Sequence, residues 1–260
     1  METNGRQRSI NALIAGISGF VMVLLVAVAL NLFGLRGQGQ AQEAPALFPT
    51  IYLTPTPEVP TKPTRPAALA GSVLASPTLR TDADLSSWEF VDVGVVLSDQ
   101  RSVWNVEGGA LLQNRTAAAG NSGTYETMAF IGSPTWSDYT LTTRFYDQGN
   151  GNVGLVVRRQ GESFYRLRML ANIYSDTPRL VLEKVVAGVA TPLATRDIPG
   201  HALHTWYELA LQVEGDRLEA SLDGEALIEA RDQTLTSGQP GIYTRAMGRI
   251  RFTDLLVTNP

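Results

Sequence analysis

An uncharged and strongly apolar run opens the chain. Residues 10–35 read INALIAGISGFVMVLLVAVALNLFGL, without a single charged side chain. At about 1.5 Å of rise per residue, a helix of this length exceeds the roughly 30 Å hydrocarbon thickness of a bilayer. The apolar core of a cleaved signal peptide is shorter, usually about 7 to 15 residues. The pattern therefore predicts an uncleaved transmembrane signal anchor, with the lipid bilayer as its partner.

The charges beside this run predict its orientation. Arg6 and Arg8 precede it in the short tail 1–9, whereas the one basic residue close behind it is Arg36. Positive residues are retained preferentially on the cytoplasmic side of a membrane. We therefore expect a single-pass protein of the cell membrane, with a cytoplasmic N-terminal tail and with the C-terminal bulk outside.

Prolines separate the apolar run from the rest of the chain. Residues 36–78 contain eight of the 14 prolines. Proline interrupts helices and central strands, so neither is expected here. The tract TPTPEVPTKPTRP, residues 54–66, favours extended polyproline II. We expect a disordered, Pro-rich linker that holds a domain away from the membrane.

From residue 79 to residue 260 the hydrophobic pattern changes to a period of two. Alternating apolar and polar positions place the two sets of side chains on opposite faces of a strand, so that one face is buried. Asp223-Gly224 lies between two such runs and predicts a two-residue hairpin turn. About twelve strands and no helix are expected, which predicts an all-β domain of two packed antiparallel sheets. The alternation is clearest in residues 137–146, 164–170, 206–214 and 217–222.

Composition narrows the classes of partner. The chain has no cysteine, so disulfides and thiolate metal sites are excluded, and a bacterial surface protein fits better than an animal ectodomain. Within residues 79–260, 22 acidic residues outnumber 16 basic ones. This negative balance argues against a nucleic acid partner.

A series of short motifs follows the strand pattern along residues 80–258. They are WNVEGGALL from Trp104, WSDYTL from Trp136, GNVGLVVR ending at Arg158, WYEL from Trp206, LDGE from Leu222, GIY from Gly241 and FTDLLV from Phe252. In this order they resemble the concanavalin A-like, laminin-G-like jelly-roll superfamily. Bacterial family-16 glycoside hydrolase-like and 3-keto-disaccharide hydrolase-like domains are the most similar groups.

The resemblance implies a jelly-roll sandwich and leaves the activity open. Members of the superfamily bind sugars, bind proteins, serve as structural parts or hydrolyse glycosidic bonds, so the fold alone assigns none of these. The resemblance also implies that a ligand would bind the polar face of one sheet.

Arginines and aromatic residues supply the candidates for such a face. Arginine forks suit carboxylates, as in acidic polysaccharides, although these arginines would equally serve as ladder partners of surface acids. An exposed indole stacks well on a sugar ring, and Trp136, beside Pro134 and Asp138 at a strand start, is the tryptophan expected to be exposed. The predicted ligand-binding residues are Arg144, Tyr146, Arg158, Arg166, Arg168 and Trp136, with Glu183 alongside.

Oxygen donors in one loop and near the C-terminus raise the question of calcium. Asp147, Asn150 and Asn152 share a tight loop, and Asp254 could join acidic residues near the start of the domain, Asp82 or Asp84. Calcium requires six to eight oxygen ligands, so backbone and water would have to contribute. The alternative is that these residues form turns. No other cofactor is expected.

Catalytic signatures are scarce in the sequence. The E-x-D-x-E set of laminarinase-type relatives and the G-x-S-x-G elbow of hydrolases are both missing. His201 and His204 lack an obvious third metal ligand. We therefore expect a membrane-anchored, extracytoplasmic recognition module for a glycan or an envelope protein, without catalysis. Two alternatives stay open: a glycoside hydrolase-like enzyme acting on modified sugars, and a structural subunit of an envelope complex.

Overall fold

The structure, a computed structural model, describes most of the predicted domain. It covers residues 71–94, 96–115, 126–149, 151–173, 175–245 and 249–260, together with Val59 and Thr61. The predicted anchor and most of the predicted linker lie outside these residues. Within the described ranges, no helix is long and apolar enough to cross a membrane.

Strands dominate the described residues. There are fifteen, three more than the sequence predicted, together with two short 3-10 helices at Asp82–Ser87 and Ser98–Gln100. The strands are β1 (Val73–Ala75), β2 (Glu89–Asp92), β3 (Val103–Glu107), β4 (Ala110–Arg115), β5 (Glu126–Phe130), β6 (Tyr139–Asp147), β7 (Asn152–Gln160), β8 (Ser163–Leu170), β9 (Leu180–Val186), β10 (Val189–Arg196), β11 (Trp206–Glu214), β12 (Arg217–Leu222), β13 (Glu225–Arg231), β14 (Gln239–Arg245) and β15 (Ile250–Thr258).

These strands form two antiparallel sheets. Sheet A has the order β13-β12-β11-β6-β15-β4-β3, and β1 also pairs with β15. Sheet B has the order β10-β9-β8-β7-β14-β5-β2. The predicted all-β, two-sheet antiparallel sandwich is therefore confirmed.

The alternating pattern explains how the two sheets pack together. In β6, Tyr139, Leu141 and Phe145 are fully buried and belong to one large core cluster. In β8, Tyr165 and Leu167 belong to the same cluster, while Arg166 between them faces outward. Because successive side chains of a strand point to opposite faces, the core lies between the sheets and leaves each sheet an outer face.

The predicted hairpin at Asp223-Gly224 is also confirmed. It joins β12 to β13, and its two residues have φ values of 50° and 85°. Positive φ at both central positions is the geometry of a type I′ turn, which matches the twist of the flanking strands.

A polar cluster holds the connection from β13 to β14 against sheet B. Asp232 accepts hydrogen bonds from the Lys184 ammonium (2.6 Å) and the Tyr165 hydroxyl (2.6 Å). Burial opposes ionisation of Asp232, but the hydrogen bonds from Lys184, Tyr165 and Thr234 outweigh it and lower the pKa of Asp232. Burial, reinforced by the bond to Asp232, raises the pKa of Tyr165 to about 12. The tyrosine therefore stays a hydrogen-bond donor at neutral pH.

Candidate functional site

A groove crosses the outer face of sheet B. Its volume is about 470 Å³. Apolar side chains form much of its surface, and charged groups stand along its edges. We refer to it as the sheet B groove and define it by Val91, Met128, Phe164 and Val185 on the apolar side and by Asp92, Glu126, Arg159, Glu162 and Arg166 on the charged side.

Strand alternation places these side chains together. Arg166 lies between two core residues of β8, so it must point away from the core. Phe164 precedes it by two positions and shares its face. Met128, Phe164 and Val185 belong to a second apolar cluster, separate from the core between the sheets. The outer face of sheet B is thus apolar at the centre rather than polar throughout.

Arg166 is the centre of the polar part of the groove. Its Nε donates to Glu183 on the neighbouring β9 (2.7 Å), and its Nη1 donates to Glu126 on β5 (3.0 Å). To reach Glu126, the side chain extends across β7 and β14, where its guanidinium lies 4.3 Å from the centre of the Tyr243 ring. Four strands are therefore linked through one guanidinium group.

The protonation states of this network follow from its contacts. Burial raises the pKa of Tyr243, and Glu126 reinforces that shift, so the hydroxyl remains protonated and donates to Glu126 (2.8 Å). Burial opposes the charge on Arg166, yet Tyr243, Glu183 and Glu126 together raise its pKa. Tyr243 and Arg166 therefore remain hydrogen-bond donors at neutral pH.

A second arginine of the groove is paired in the same way. Arg159 binds both carboxylate oxygens of Glu89, at 2.6 and 2.9 Å, and covers the Phe130 ring at 4.2 Å. Hydrogen bonds from Arg159 lower the pKa of Glu89. The pair lies at one side of the groove, and its two opposite charges neutralise each other.

The structure divides the predicted ligand-binding residues between two sheets. Arg166 and Arg168 lie on the outer face of sheet B, with Arg168 Nε 3.6 Å from Glu183. Arg144 and Tyr146 lie instead on the outer face of sheet A, because β6 pairs with β11 and β15. The expectation that these residues share one face is wrong. Alternation shows which residues of a strand face the same way, but not which sheet the strand joins.

Arg158 faces neither outer surface. It has a φ of 51°, lies in an irregular part of the β7 pairing and is 1% exposed. Its guanidinium donates to the carbonyls of Ser137 (2.8 Å), Gly215 (2.8 Å) and Leu235 (3.0 Å), and it pairs with Asp138 (3.1 Å). These hydrogen bonds tie loops together at one end of the sandwich.

Trp136 is half-buried rather than exposed. Its ring packs edge-on against Tyr139, 6.3 Å between centroids, and lies over Gly132. A Cβ at Gly132 would come within 2.2 Å of the indole. The predicted exposure of Trp136 is wrong, because the strand start places the indole at the border of the core.

The residues proposed for calcium make other contacts. Asp147 is fully buried, and its carboxylate accepts hydrogen bonds from the backbone N–H groups of Gly149 (2.7 Å) and Gly151 (3.1 Å) and lies 3.0 Å from His201 Nε2. Asn152 is buried at the start of β7, while Asn150 lies outside the described residues. The oxygens of Asp147 thus organise the loop that it begins.

The second proposed calcium cluster combines Asp254 with Asp82 or Asp84. Asp254 has a φ of 52° at an irregularity of β15. Asp82 accepts the Val106 N–H (2.6 Å), and hydrogen bonds from Thr81 and Arg80 lower the pKa of Asp84. Across the described ranges, no group of three or more His, Asp or Glu side chains could hold a metal ion. The Asp84 carboxylate acts as a cap for the backbone of residues 80 and 81, and calcium at these positions stays a prediction.

Several residues of the groove and of the Arg166 network were missed in the sequence. Glu126, Met128, Phe164 and Tyr243 were not among the predicted site residues. One signal in the sequence was available, a local loss of the apolar-polar alternation. A strand that carries apolar residues at outward as well as inward positions has both of its faces covered by other side chains. The run Gly154-Leu-Val-Val in β7 shows this pattern.

Comparisons with known proteins find solved structures of similar fold. A carbohydrate binding module, CBM66 from Bacillus subtilis, is 19% identical with a TM-score of 0.50, over 66% of this chain and 96% of the module. A Bacillus subtilis protein of unknown function with a galectin-like fold is 14% identical with a TM-score of 0.51, over 73% of this chain and 96% of that one.

A third similar structure contains a bound sugar. The exoplasmic/lumenal domain of VIP36, in a form bound to Ca²⁺ and Man3GlcNAc, is 10% identical with a TM-score of 0.50, over 71% of this chain and 88% of that one. No protein-family model matches the chain. No curated protein matches it either. At this level of identity the likeness concerns the fold alone: the domain is a two-sheet sandwich similar to the galectin-like fold, in agreement with the resemblance of the sequence motifs.

Proposed function

We propose that the domain is a glycan-recognition module and that the sheet B groove is its binding site. The observation that carries the proposal is the pairing of an apolar floor with a fixed polar network in one groove on the outer face of a sheet. The fold is shared with a carbohydrate binding module and with a domain that binds Man3GlcNAc, which supports this class of ligand.

The chemistry of the groove suits a sugar ring. A sugar presents C–H groups on its ring faces and hydroxyls around its edge. Phe164 and Met128 offer apolar surface for the first, while Arg166 and Glu126 offer a donor and an acceptor for the second. The volume of about 470 Å³ falls within the roughly 300 to 1,000 Å³ typical of ligand sites.

Phe164→Ala is expected to weaken glycan binding by about tenfold, because it removes the aromatic ring from the floor of the groove and leaves a hollow in its place. Arg166→Lys should weaken it as well, since an ammonium cannot replace the two-sided guanidinium fork. Binding is measured first on a glycan array and then by calorimetry with the strongest glycan. Thermal melting confirms that each variant is folded.

Phe90→Ala is the matched control. Phe90 is 37% exposed and lies outside the groove, in a separate hollow beside Trp104. This variant should bind like the wild type. If Phe164→Ala and Arg166→Lys bind as tightly as Phe90→Ala, the groove is not the glycan site.

We also propose that residues 10–35 anchor this module in the membrane and that the domain faces outward. The proposal is supported by the uncharged run and by the basic residues before it. In a bacterial host, the full chain should sediment with membranes and its domain should be cleaved by protease added to spheroplasts. A chain lacking residues 1–35 should stay in the soluble fraction. Full-length chain in the soluble fraction, or a domain protected in intact spheroplasts, would contradict the proposal.

A further inference from the structure

Both arginines that line the sheet B groove are already paired with carboxylates. Arg166 binds Glu126 and Glu183, and Arg159 binds Glu89 through two hydrogen bonds. An arginine that receives an anionic ligand needs a free edge of its guanidinium fork. In Arg166, Nε and Nη1 are both used, and Nη2 is the nitrogen without a hydrogen bond to a described residue. The fork is therefore closed to a second carboxylate.

The local charge has the wrong sign for an acidic sugar. The groove and the residues bonded to its arginines include five acidic side chains, at Asp92, Glu126, Glu162, Glu89 and Glu183. Only three basic side chains balance them, at Arg159, Arg166 and Arg168. A sugar carboxylate entering the groove would lose hydration without gaining an unpaired cation, which is costly.

A neutral sugar meets no such cost. A hydroxyl group donates one hydrogen bond and accepts others, so it fits a place where a donor and an acceptor lie side by side. Arg166 Nη2 supplies the donor, and the oxygens of Glu126 that bind Arg166 and Tyr243 retain acceptor capacity. Charged partners make such hydrogen bonds stronger than those between neutral groups.

From this arrangement we infer that the groove recognises uncharged sugars and that Glu126 and Glu183 act as specificity residues that exclude acidic ones. The inference rests on the glycan-binding function proposed above and adds the class of sugar. The arginines alone had suggested acidic polysaccharides as ligands. The inference differs because the arginines of the groove are paired with acidic residues of the same sheet, which the sequence does not show.

Glu126→Gln tests the role of the carboxylate. The amide keeps the size of the side chain and an oxygen that accepts from Arg166 or Tyr243, but it removes one negative charge from the groove. The probes are neutral hexose oligosaccharides on an array, each beside its C6-oxidised uronate form. We expect the full-length wild-type protein in detergent to prefer the neutral member of a pair by about tenfold or more, and Glu126→Gln to shift that ratio by about tenfold toward the uronate.

Glu183→Gln should shift the ratio in the same direction, and it provides a second variant if one of the two is poorly folded. Glu225→Gln is the control, because Glu225 is exposed on the hairpin between β12 and β13 in sheet A. Its ratio should equal that of the wild type. Thermal melting of each variant separates a change of specificity from a loss of fold.

The outcomes separate the two proposals. If the wild type binds uronates and not their neutral forms, the groove still binds glycans but the inference on sugar class is overturned. If folded Glu126→Gln and Glu183→Gln keep the wild-type ratio, the two glutamates are not specificity residues. If no member of either set binds, the glycan-binding function fails, and the inference fails with it.

Discussion

Replacing Arg158 with alanine is expected to lower the free energy of unfolding by about 3 to 5 kcal/mol, because a buried charged hub disappears and its carbonyl partners lose their donors. For a domain of this size, such a loss corresponds to a melting temperature lower by about 6 to 20 °C. Chemical and thermal denaturation followed by circular dichroism would measure both.

The size of this effect follows from what the guanidinium holds. It donates to carbonyl groups from three separate loops, at Ser137, Gly215 and Leu235. In addition, the backbone N–H of Arg158 donates to the Tyr139 hydroxyl (2.7 Å), which itself donates to the Gly238 carbonyl (3.0 Å). Burial raises the pKa of Tyr139, so this hydroxyl stays protonated. Alanine would leave a cavity and several unsatisfied carbonyl groups at this end of the sandwich.

Arg231→Ala is the matched control for Arg158→Ala. Arg231 also forms an ion pair, with Asp216 at 2.7 Å, but its side chain is 64% exposed. Exposed pairs contribute about 0 to 1 kcal/mol, so this variant should melt close to the wild type. Equal stability of the two variants would show that Arg158 is not a structural hub.

The sequence predicted which side chains of a strand share a face, but it did not predict which sheet each strand joins. Alternation in β6 and β8 correctly separated core residues from outward ones, and Asp223-Gly224 correctly marked a hairpin. Both are local properties, set by the strand period and by turn geometry. Partner strands are decided by packing between distant segments. For that reason Arg144 and Arg166 could be assigned to outer faces but not to their different sheets.

The candidate site was predicted only in part, because contacts between distant strands are not visible in the sequence. Arg166 and Arg168 were selected for their charge and lie on the outer face of sheet B, whereas Glu126 comes from a strand 40 residues away in sequence from Arg166. Arg158 was misread because an irregularity in β7 turns its side chain toward the protein. A single extra residue in a strand reverses the side to which the following side chain points, and alternation alone does not reveal it.

Gly154→Ala is expected to lower the free energy of unfolding by more than about 4 kcal/mol, because the new methyl group has no space. A Cβ at Gly154 would lie 2.0 Å from the Leu167 carbonyl oxygen on β8 and 3.2 Å from the Tyr243 ring on β14. Both neighbours are paired strands at the centre of sheet B, so the sheet cannot yield without losing hydrogen bonds. Loss of the folded circular dichroism signal, or a greatly lowered melting temperature, would show the effect.

Gly224→Ala separates this steric clash from the general cost of replacing a glycine. Gly224 has a φ of 85°, and a Cβ there would meet no atom within 4 Å. Its replacement should cost about 1 kcal/mol through backbone strain alone. If Gly154→Ala melts no lower than Gly224→Ala, β7 and β8 do not approach as closely as described. Because the Tyr243 ring lies beside Gly154 and carries the Arg166 guanidinium on its face, a displacement of this ring by the new methyl group would also move a charged group that lines the sheet B groove.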